Sequence, residues 1–227
     1  MLLCLSSVLG PREMARVRET INGTRWIDGR ATAGAQSALA KQNQQTPEED
    51  PATLAAGEII LQALAGHAAF LSAALPLRIF PPLFSRYRSG DAFGAHVDNA
   101  IRAVRGGPVR VRTDLAMTLF LAAPDEYEGG ELVIETRFGA QEVKLPAGDA
   151  VLYPASSLHR VAPVTRGVRE ASFLWLQSMV RDDGERELLF DLDQSIQRLA
   201  QERGQGDGEV VRLTGVYHNF VRRWANT

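Results

Sequence analysis

Apolar residues along this chain fall into two rhythms. At both ends they recur at helical spacing, and in the middle they come as short runs broken by glycine, proline and acidic turns. Between Ile79 and Val180 the runs LFSRYRSG, LAMTLFLAAP, GELVIETRFG, QEVKLPAGDAVLYP and REASFLWLQSMV predict strands of about five to ten residues. No helical period interrupts them, so parallel strands joined by crossover helices are not expected. Strands in direct succession predict an antiparallel sandwich or jelly roll. Ahead of them, MLLCLSSVLG reads as a strand and Pro11–Ile21 as a helix. Asn22 to Asp50 lacks periodicity and is expected to be an exposed loop with short ordered pieces. From Thr53 to Ala74 one helix is expected, with Ile60, Leu64, His67, Ala68 and Leu71 on its buried face and Pro76 stopping it.

The C-terminal end predicts a helical hairpin. Residues 184–203 space Leu188, Leu189, Leu192, Ile196 and Leu199 as one helix. The turn GQGDG leads to a second helix carrying Val210, Leu213, Val216, Tyr217, Phe220 and Trp224. Such a hairpin can pack on the core, stand as a small module, or serve a homo-oligomer contact. The reading is therefore an α+β chain in three parts. Residues 1–78 supply a strand and helices, 79–180 the jelly roll (a double-stranded β-helix), and 181–227 the αα-hairpin.

Composition narrows the function classes. At 227 residues, 45% hydrophobic and 23% charged, the chain has the balance of an ordinary globular domain. A net charge of −2 provides no field for nucleic acid as a partner, though a local basic patch stays open. Cys4 is the single cysteine, which excludes a disulfide framework and a thiolate metal site. Its apolar neighbours predict a buried, inert thiol, and a reducing, cytoplasmic setting fits. The N-terminus lacks the basic start of a signal peptide. The longest apolar run, residues 59–75, is interrupted and shorter than the ~20 residues of a spanning helix. No membrane insertion is expected.

Candidate chemistry begins at FGAHVDNA. His96 and Asp98 are two apart, so on a strand both project to one face, with Val97 pointing away. A satisfied surface pair would have the same spacing. YPASSLHRV then adds His159, 61 positions after Asp98. Two histidines and one carboxylate form a facial triad that leaves coordination positions open for co-substrate and O2, whereas a structural zinc site would close its shell. Ten residues later Arg169 alternates with Ala171 and Phe173 on a strand. A guanidinium facing an apolar interior implies an anionic partner, either a carboxylate of the fold or a bound ligand. Arg102, Arg105, Arg110 and Arg112 follow the first motif closely. They read as a solvated loop, or as a rim that receives an anionic substrate. His67 and His218 read as packed histidines.

The strings RYRSGDAFGAHVDNAIR, EGGELVI and GDAVLYPASSLHRVAPVTRGVREASFLWLQS resemble the prolyl-4-hydroxylase-like Fe(II)- and 2-oxoglutarate-dependent dioxygenases. Within them the chain is most similar to the bacterial PKHD-type hydroxylases, a group associated with iron uptake. The likeness covers about residues 80–180, and both ends of the chain look like that group too. It implies Fe(II) on His96, Asp98 and His159, with Arg169 holding the distal carboxylate of 2-oxoglutarate. It implies O2 as co-substrate and L-ascorbate as the reductant that restores the iron. Tyr87 stands where related enzymes carry a co-substrate tyrosine, and also fits a core aromatic. On the MTLFLAA strand, where relatives can place a second tyrosine, this chain has Met117, Leu119 and Phe120; Thr165 and Ser172 are possible substitutes. The implied activity is hydroxylation of a small-molecule or peptide substrate, with a siderophore-related molecule favoured by the association with iron uptake. Two other readings stay open: a non-catalytic jelly-roll binding or iron-sensing module, and a cupin-like metalloenzyme that does without 2-oxoglutarate.

Overall fold

The structure is a computed structural model that describes residues 1–32 and 38–227. Its first part holds β1 (Leu3–Leu5), α1 (Pro11–Asn22), β2 (Ile27–Asp28), β3 (Lys41–Gln42), β4 (Gln44–Gln45), α2 (Pro51–Ala65) and α3 (Ala68–Ala74). The strand-rich middle begins with β5 (Pro76–Ile79), β6 (Leu83–Arg88), β7 (Ala92–His96), β8 (Ile101–Ala103), β9 (Arg110–Arg112) and β10 (Leu115–Phe120). It continues with β11 (Tyr127–Gly129), β12 (Leu132–Thr136), β13 (Gly139–Val143), β14 (Ala150–Pro154), β15 (His159–Val161) and β16 (Val164–Ser178). The chain ends in α4 (Asp183–Arg203) and α5 (Gly208–Trp224).

All strand pairings are antiparallel among the described residues. The larger sheet runs β1-β14-β10-β16-β6-β4-β2, with β11 and β5 also paired to β16. The smaller sheet runs β13-β12-β15-β7-β3. One apolar cluster joins them, drawing Leu83, Tyr87, Ala116, Phe120 and Tyr153 from the larger sheet and Leu132, Ile134, Val143 and Val161 from the smaller. The outer face of the larger sheet is equally apolar. Phe84, Leu115, Met117, Leu119, Leu152 and Leu174 pack there against Val17 and Ile21 of α1 and Ala56, Ile60 and Leu64 of α2. Because β10 is buried on both faces, it reads as a continuous apolar run rather than an alternating one. Burying one such Leu or Phe contributes about 1.5–3 kcal/mol, so this double burial fixes the register of the sheet. The result is the jelly roll expected from the strand pattern.

Several sequence expectations change. The stretch Asn22–Asp50 is not simply an exposed loop, because β2 and β4 extend the larger sheet and β3 edges the smaller one. Its Lys41, Asn43, Gln45 and Thr46 are buried. Polar composition concealed these strands; two-residue segments carry no readable period. Part of the stretch, residues 33–37, lies outside the described residues.

The single helix expected from Thr53 to Ala74 is two helices, bent by 87°. Gly66 ends the first, and the His67 side chain caps the second by accepting from the Phe70 N–H at 3.2 Å. Its other ring nitrogen faces the Ser6 carbonyl at 3.2 Å. His67 is thus a cap rather than part of a buried stripe, and Leu71 is 39% exposed. No single helix among the described residues is long and apolar enough to cross a membrane. Cys4, expected to be buried, is exposed, since the outer position of a three-residue edge strand has no neighbour to cover it.

The C-terminal hairpin forms as expected. Ile196 and Ala200 of α4 pack on Val210 of α5, with Leu192, Leu199, Leu213 and Tyr217 around them. Val180, Leu189 and Leu75 join the hairpin to the barrel. Leu188, Val216 and Phe220, read from spacing as core positions, are exposed at 63%, 40% and 37%. His218 is exposed too, with its ring edge against Tyr217.

Candidate active site

The two predicted histidines are drawn together by strand pairing. His96 closes β7 and stands directly opposite His159 of β15 in the antiparallel register. Their rings lie 4.2 Å apart. Asp98 sits two residues past the end of β7 rather than within it, and its Oδ2 lies 3.9 Å from the His159 Nε2. Ligand atoms of His96, Asp98 and His159 all fall within 4.8 Å of one another. That is the spacing three donors need to share one ion. Val97 does not simply point away: it is 48% exposed at the mouth of the same cavity.

Outer contacts set the donor atoms. The His96 Nδ1 lies 2.9 Å from the Gly94 carbonyl and the His159 Nδ1 lies 3.0 Å from the Ser157 carbonyl. A carbonyl can only accept, so each Nδ1 carries the proton and each neutral ring keeps its lone pair on Nε2. Phe93 stacks on the His96 ring at 3.6 Å, and Tyr153 meets His159 edge-on at 5.3 Å. Trp175 lines the same cavity beside the Asp98 carboxylate and favours its charged form. Burial, aided by the nearby His159, lowers the His96 pKa to about 4, so the imidazole stays neutral and able to ligate at physiological pH. Burial also raises Asp98, and His159 opposes that rise. A cation in the triad would relieve both burdens.

A cavity opens beside the triad, with about 790 Å³ of empty space that includes the open solvent at its mouth. Arg169 lies in its wall, 2% exposed. It pairs in register with Tyr87 of β6, and its guanidinium carbon is 5.4 Å from the ring centres of both Tyr87 and Phe120. Its Nε is buried without a hydrogen-bond partner, and so is the hydroxyl of Tyr127 beside it. Gly130 makes this approach possible. At φ +67°, a Cβ there would lie 3.0 Å from the Arg169 Cδ and 3.1 Å from the Tyr127 Cε2. Burial pushes Tyr87 up to about 12, with the Arg169 charge opposing, so its phenol remains a hydrogen-bond donor. Tyr127 and Tyr153 are raised by burial as well.

Of the four arginines read as a rim, only Arg102 lines the cavity among the described residues. Arg105 shares the Glu48 carboxylate with it, at 3.1 and 3.2 Å. Arg110 is exposed on the outer hairpin, and Arg112 is held by Asp114 at 2.6 Å. Thr165 is exposed, and Ser172 donates to the Leu83 carbonyl at 3.0 Å; neither lines the cavity. The polar side chains found there instead include Tyr153, Thr118, Asn99, Ser85, Gln45 and Lys41. Tyr153 could have been found by alternation, since it faces inward with Val151 on β14. Lys41 could not, because it reaches the site through a two-residue strand.

The donor set and the unpaired Nε of buried Arg169 fit a metal and a dicarboxylate, and comparison with known proteins agrees. Residues 82–177 match the 2OG-Fe(II) oxygenase superfamily, and residues 183–226 match the PKHD-type hydroxylase C-terminal domain. A PKHD-type hydroxylase of Paraburkholderia xenovorans is 60% identical over the full length of both chains. Among solved structures, a prolyl hydroxylase from Trichoplax adhaerens, in complex with a hypoxia inducible factor peptide fragment, aligns with a TM-score of 0.58. It is 14% identical, covering 82% of this chain and 86% of that one. A prolyl-4-hydroxylase from Pseudomonas putida aligns with a TM-score of 0.50 at 19% identity, covering 78% and 92%. At these identities the solved structures establish the fold. The full-length relative and the two matched regions establish that the chain belongs to the PKHD-type hydroxylases, enzymes of the Fe(II)- and 2-oxoglutarate-dependent oxygenase superfamily.

Proposed function

We propose that His96, Asp98 and His159 hold the Fe(II), and that Arg169 and Tyr87 hold 2-oxoglutarate, in a hydroxylase acting on a small molecule or peptide. The observation that carries this reading is the pairing of two unsatisfied groups in one cavity. Ligand atoms of His96, Asp98 and His159 converge within 4.8 Å of one another, and in the wall of the same cavity the buried Arg169 Nε has no hydrogen-bond partner among the described residues. When bound, iron and co-substrate supply the oxidative decarboxylation that activates O2 for attack on a C–H bond. The chain supplies the rest. The Gly94 and Ser157 carbonyls orient the two imidazoles, and Trp175 favours the charged form of the Asp98 carboxylate. Arg169 fixes the distal carboxylate with charge-assisted hydrogen bonds, and the Tyr87 phenol stays protonated to donate beside it. Phe93, Phe120, Leu132 and Val161 keep the surroundings apolar, which strengthens each of these contacts.

The same reading includes ascorbate as the reductant, a cytoplasmic setting, a role in iron homeostasis with a siderophore-related substrate, and self-association through the exposed apolar residues of the hairpin. Family resemblance supports the first three. The exposed Leu188, Val211 and Phe220 support the last. The test is succinate formation from 2-oxoglutarate under air with added Fe(II). His96→Ala and Asp98→Ala are expected to lose it by more than a hundredfold while keeping the wild-type fold. Wild-type rates in either variant would contradict the triad.

A further inference from the structure

Arg169 lies between two tyrosines. Tyr87 of β6 pairs with it directly and lines the cavity. On the other edge of β16, Tyr127 of β11 pairs with Gly167, two residues before Arg169, a diagonal that long side chains can bridge. Tyr127 is 1% exposed and is not among the residues that line the cavity. Gly130 marks where the two side chains meet, because a Cβ there would press on both the Arg169 Cδ and the Tyr127 Cε2. The Arg169 Nε is bonded to that Cδ, and the Tyr127 hydroxyl is carried by the ring carbon next to that Cε2.

The Tyr127 ring is held in place. The Lys144 ammonium lies 4.1 Å from its centre and donates to the Tyr127 carbonyl at 2.9 Å. Its hydroxyl is not held. The Tyr127 oxygen and the Arg169 Nε are both buried, and neither has a hydrogen-bond partner among the described residues. A buried phenol oxygen without a partner is unfavourable, and a phenylalanine would fill the same space without that cost. Burial raises the Tyr127 pKa, with the Arg169 charge opposing, so the phenol stays neutral and its oxygen can accept. One unpartnered group is a donor, the other can accept, and they share one small space.

Resting on the oxygenase reading above, we infer that Tyr127 is a positioning residue of the co-substrate site: when a carboxylate draws in the Arg169 guanidinium, the Tyr127 oxygen accepts from Nε and fixes which edge of the fork faces the cavity. A guanidinium presents its donors in one rigid plane, so a hydrogen bond at Nε sets the direction of the remaining N–H groups. Tyr127 thus acts on the distal carboxylate through Arg169, without touching it.

2-Oxoglutarate and 2-oxopentanoate, which has the same carbon chain but no distal carboxylate, are the probes. Each is titrated calorimetrically into Zn(II)-loaded protein, where no turnover occurs. Tyr127→Phe is expected to bind 2-oxoglutarate about tenfold more weakly than wild type, and 2-oxopentanoate equally well. Its melting temperature without ligand is expected to match or exceed that of wild type. In the Arg169→Met background the same substitution is expected to change 2-oxoglutarate affinity by less than about twofold, because the donor it serves is gone. Unchanged 2-oxoglutarate affinity in Tyr127→Phe would overturn the inference; combined with a lowered melting temperature, it would make the hydroxyl purely structural. An equal loss for both ligands, or a further loss of about tenfold in Arg169→Met, would overturn it too, since Tyr127 would then act by a route other than Arg169. Failure of wild type to bind 2-oxoglutarate at all would instead remove the oxygenase reading on which the inference rests.

Discussion

Arg169 and Arg186 are equally buried, each 2% exposed, but their surroundings could hardly differ more. Arg186 sits in the first turn of α4, where the hairpin meets the barrel. It donates to the Val180 carbonyl at 2.6 Å and the Arg181 carbonyl at 2.8 Å, and it pairs with Asp183. Arg169 has aromatic rings on its flanks and an Nε with no partner. One guanidinium is part of how the chain folds. The other is carried by the fold at a cost, since a buried cation without an anion is unfavourable. Burial alone does not mark a functional arginine; burial without satisfaction does.

The comparison can be broken by four substitutions. Replacing Arg186 with Met should have the largest effect, about 3–5 kcal/mol of stability, because it strands two carbonyls and separates the hairpin from the barrel. Urea unfolding would measure it, and a loss under about 1 kcal/mol would remove the structural role. Arg169→Met should behave in the opposite way. Without ligand its stability is expected to equal or exceed that of wild type, whereas its affinity for 2-oxoglutarate should fall about a hundredfold, or ~2.7 kcal/mol. The same change appears in melting curves: 2-oxoglutarate added to metal-loaded protein should raise the melting temperature of wild type at concentrations that leave that of metal-loaded Arg169→Met in place.

Smaller effects sharpen the contrast. Gly130→Ala puts a Cβ at a positive φ and against Arg169, so about 1–2 kcal/mol of stability should be lost, with a raised KM for 2-oxoglutarate. A stability loss without any change in KM would show that Gly130 serves the turn alone. His67→Ala removes a helix cap remote from the cavity and should cost about 1 kcal/mol, with succinate formation per folded molecule unchanged.

The same contrast explains what could be read from the sequence. His96 and His159 were legible as a cluster because short motifs on strands carry their own geometry, with Asp98 kept beside them by its spacing although it lies past the end of β7, and Arg169 because a cation in an apolar alternation is conspicuous. The strand pattern of residues 79–180 announced the jelly roll for the same reason. What stayed hidden depends on long-range placement. Lys41 enters the cavity only because β3 pairs with β7, and the polar run around it looks like loop. Tyr127 reaches Arg169 only through the β11–β16 pairing, which bulges between Glu128 and Gly129. Thr165 and Ser172 lie close to Arg169 in sequence, but Thr165 is exposed and the pleat turns Ser172 to the opposite face. The bend at His67 escaped notice because apolar spacing continues across it; the cap is a local competition that periodicity does not register.

The central claim is that the triad and Arg169 together hold one metal and one co-substrate. Anaerobic titration of Fe(II)-loaded protein with 2-oxoglutarate, followed through the weak visible charge-transfer band of the chelate, tests it most directly. The account predicts a saturable band in wild type, its loss in His96→Ala, and a shift of the midpoint to about a hundredfold higher 2-oxoglutarate in Arg169→Met. A band that forms equally well in His96→Ala, or no band in folded, iron-loaded wild type, would contradict it.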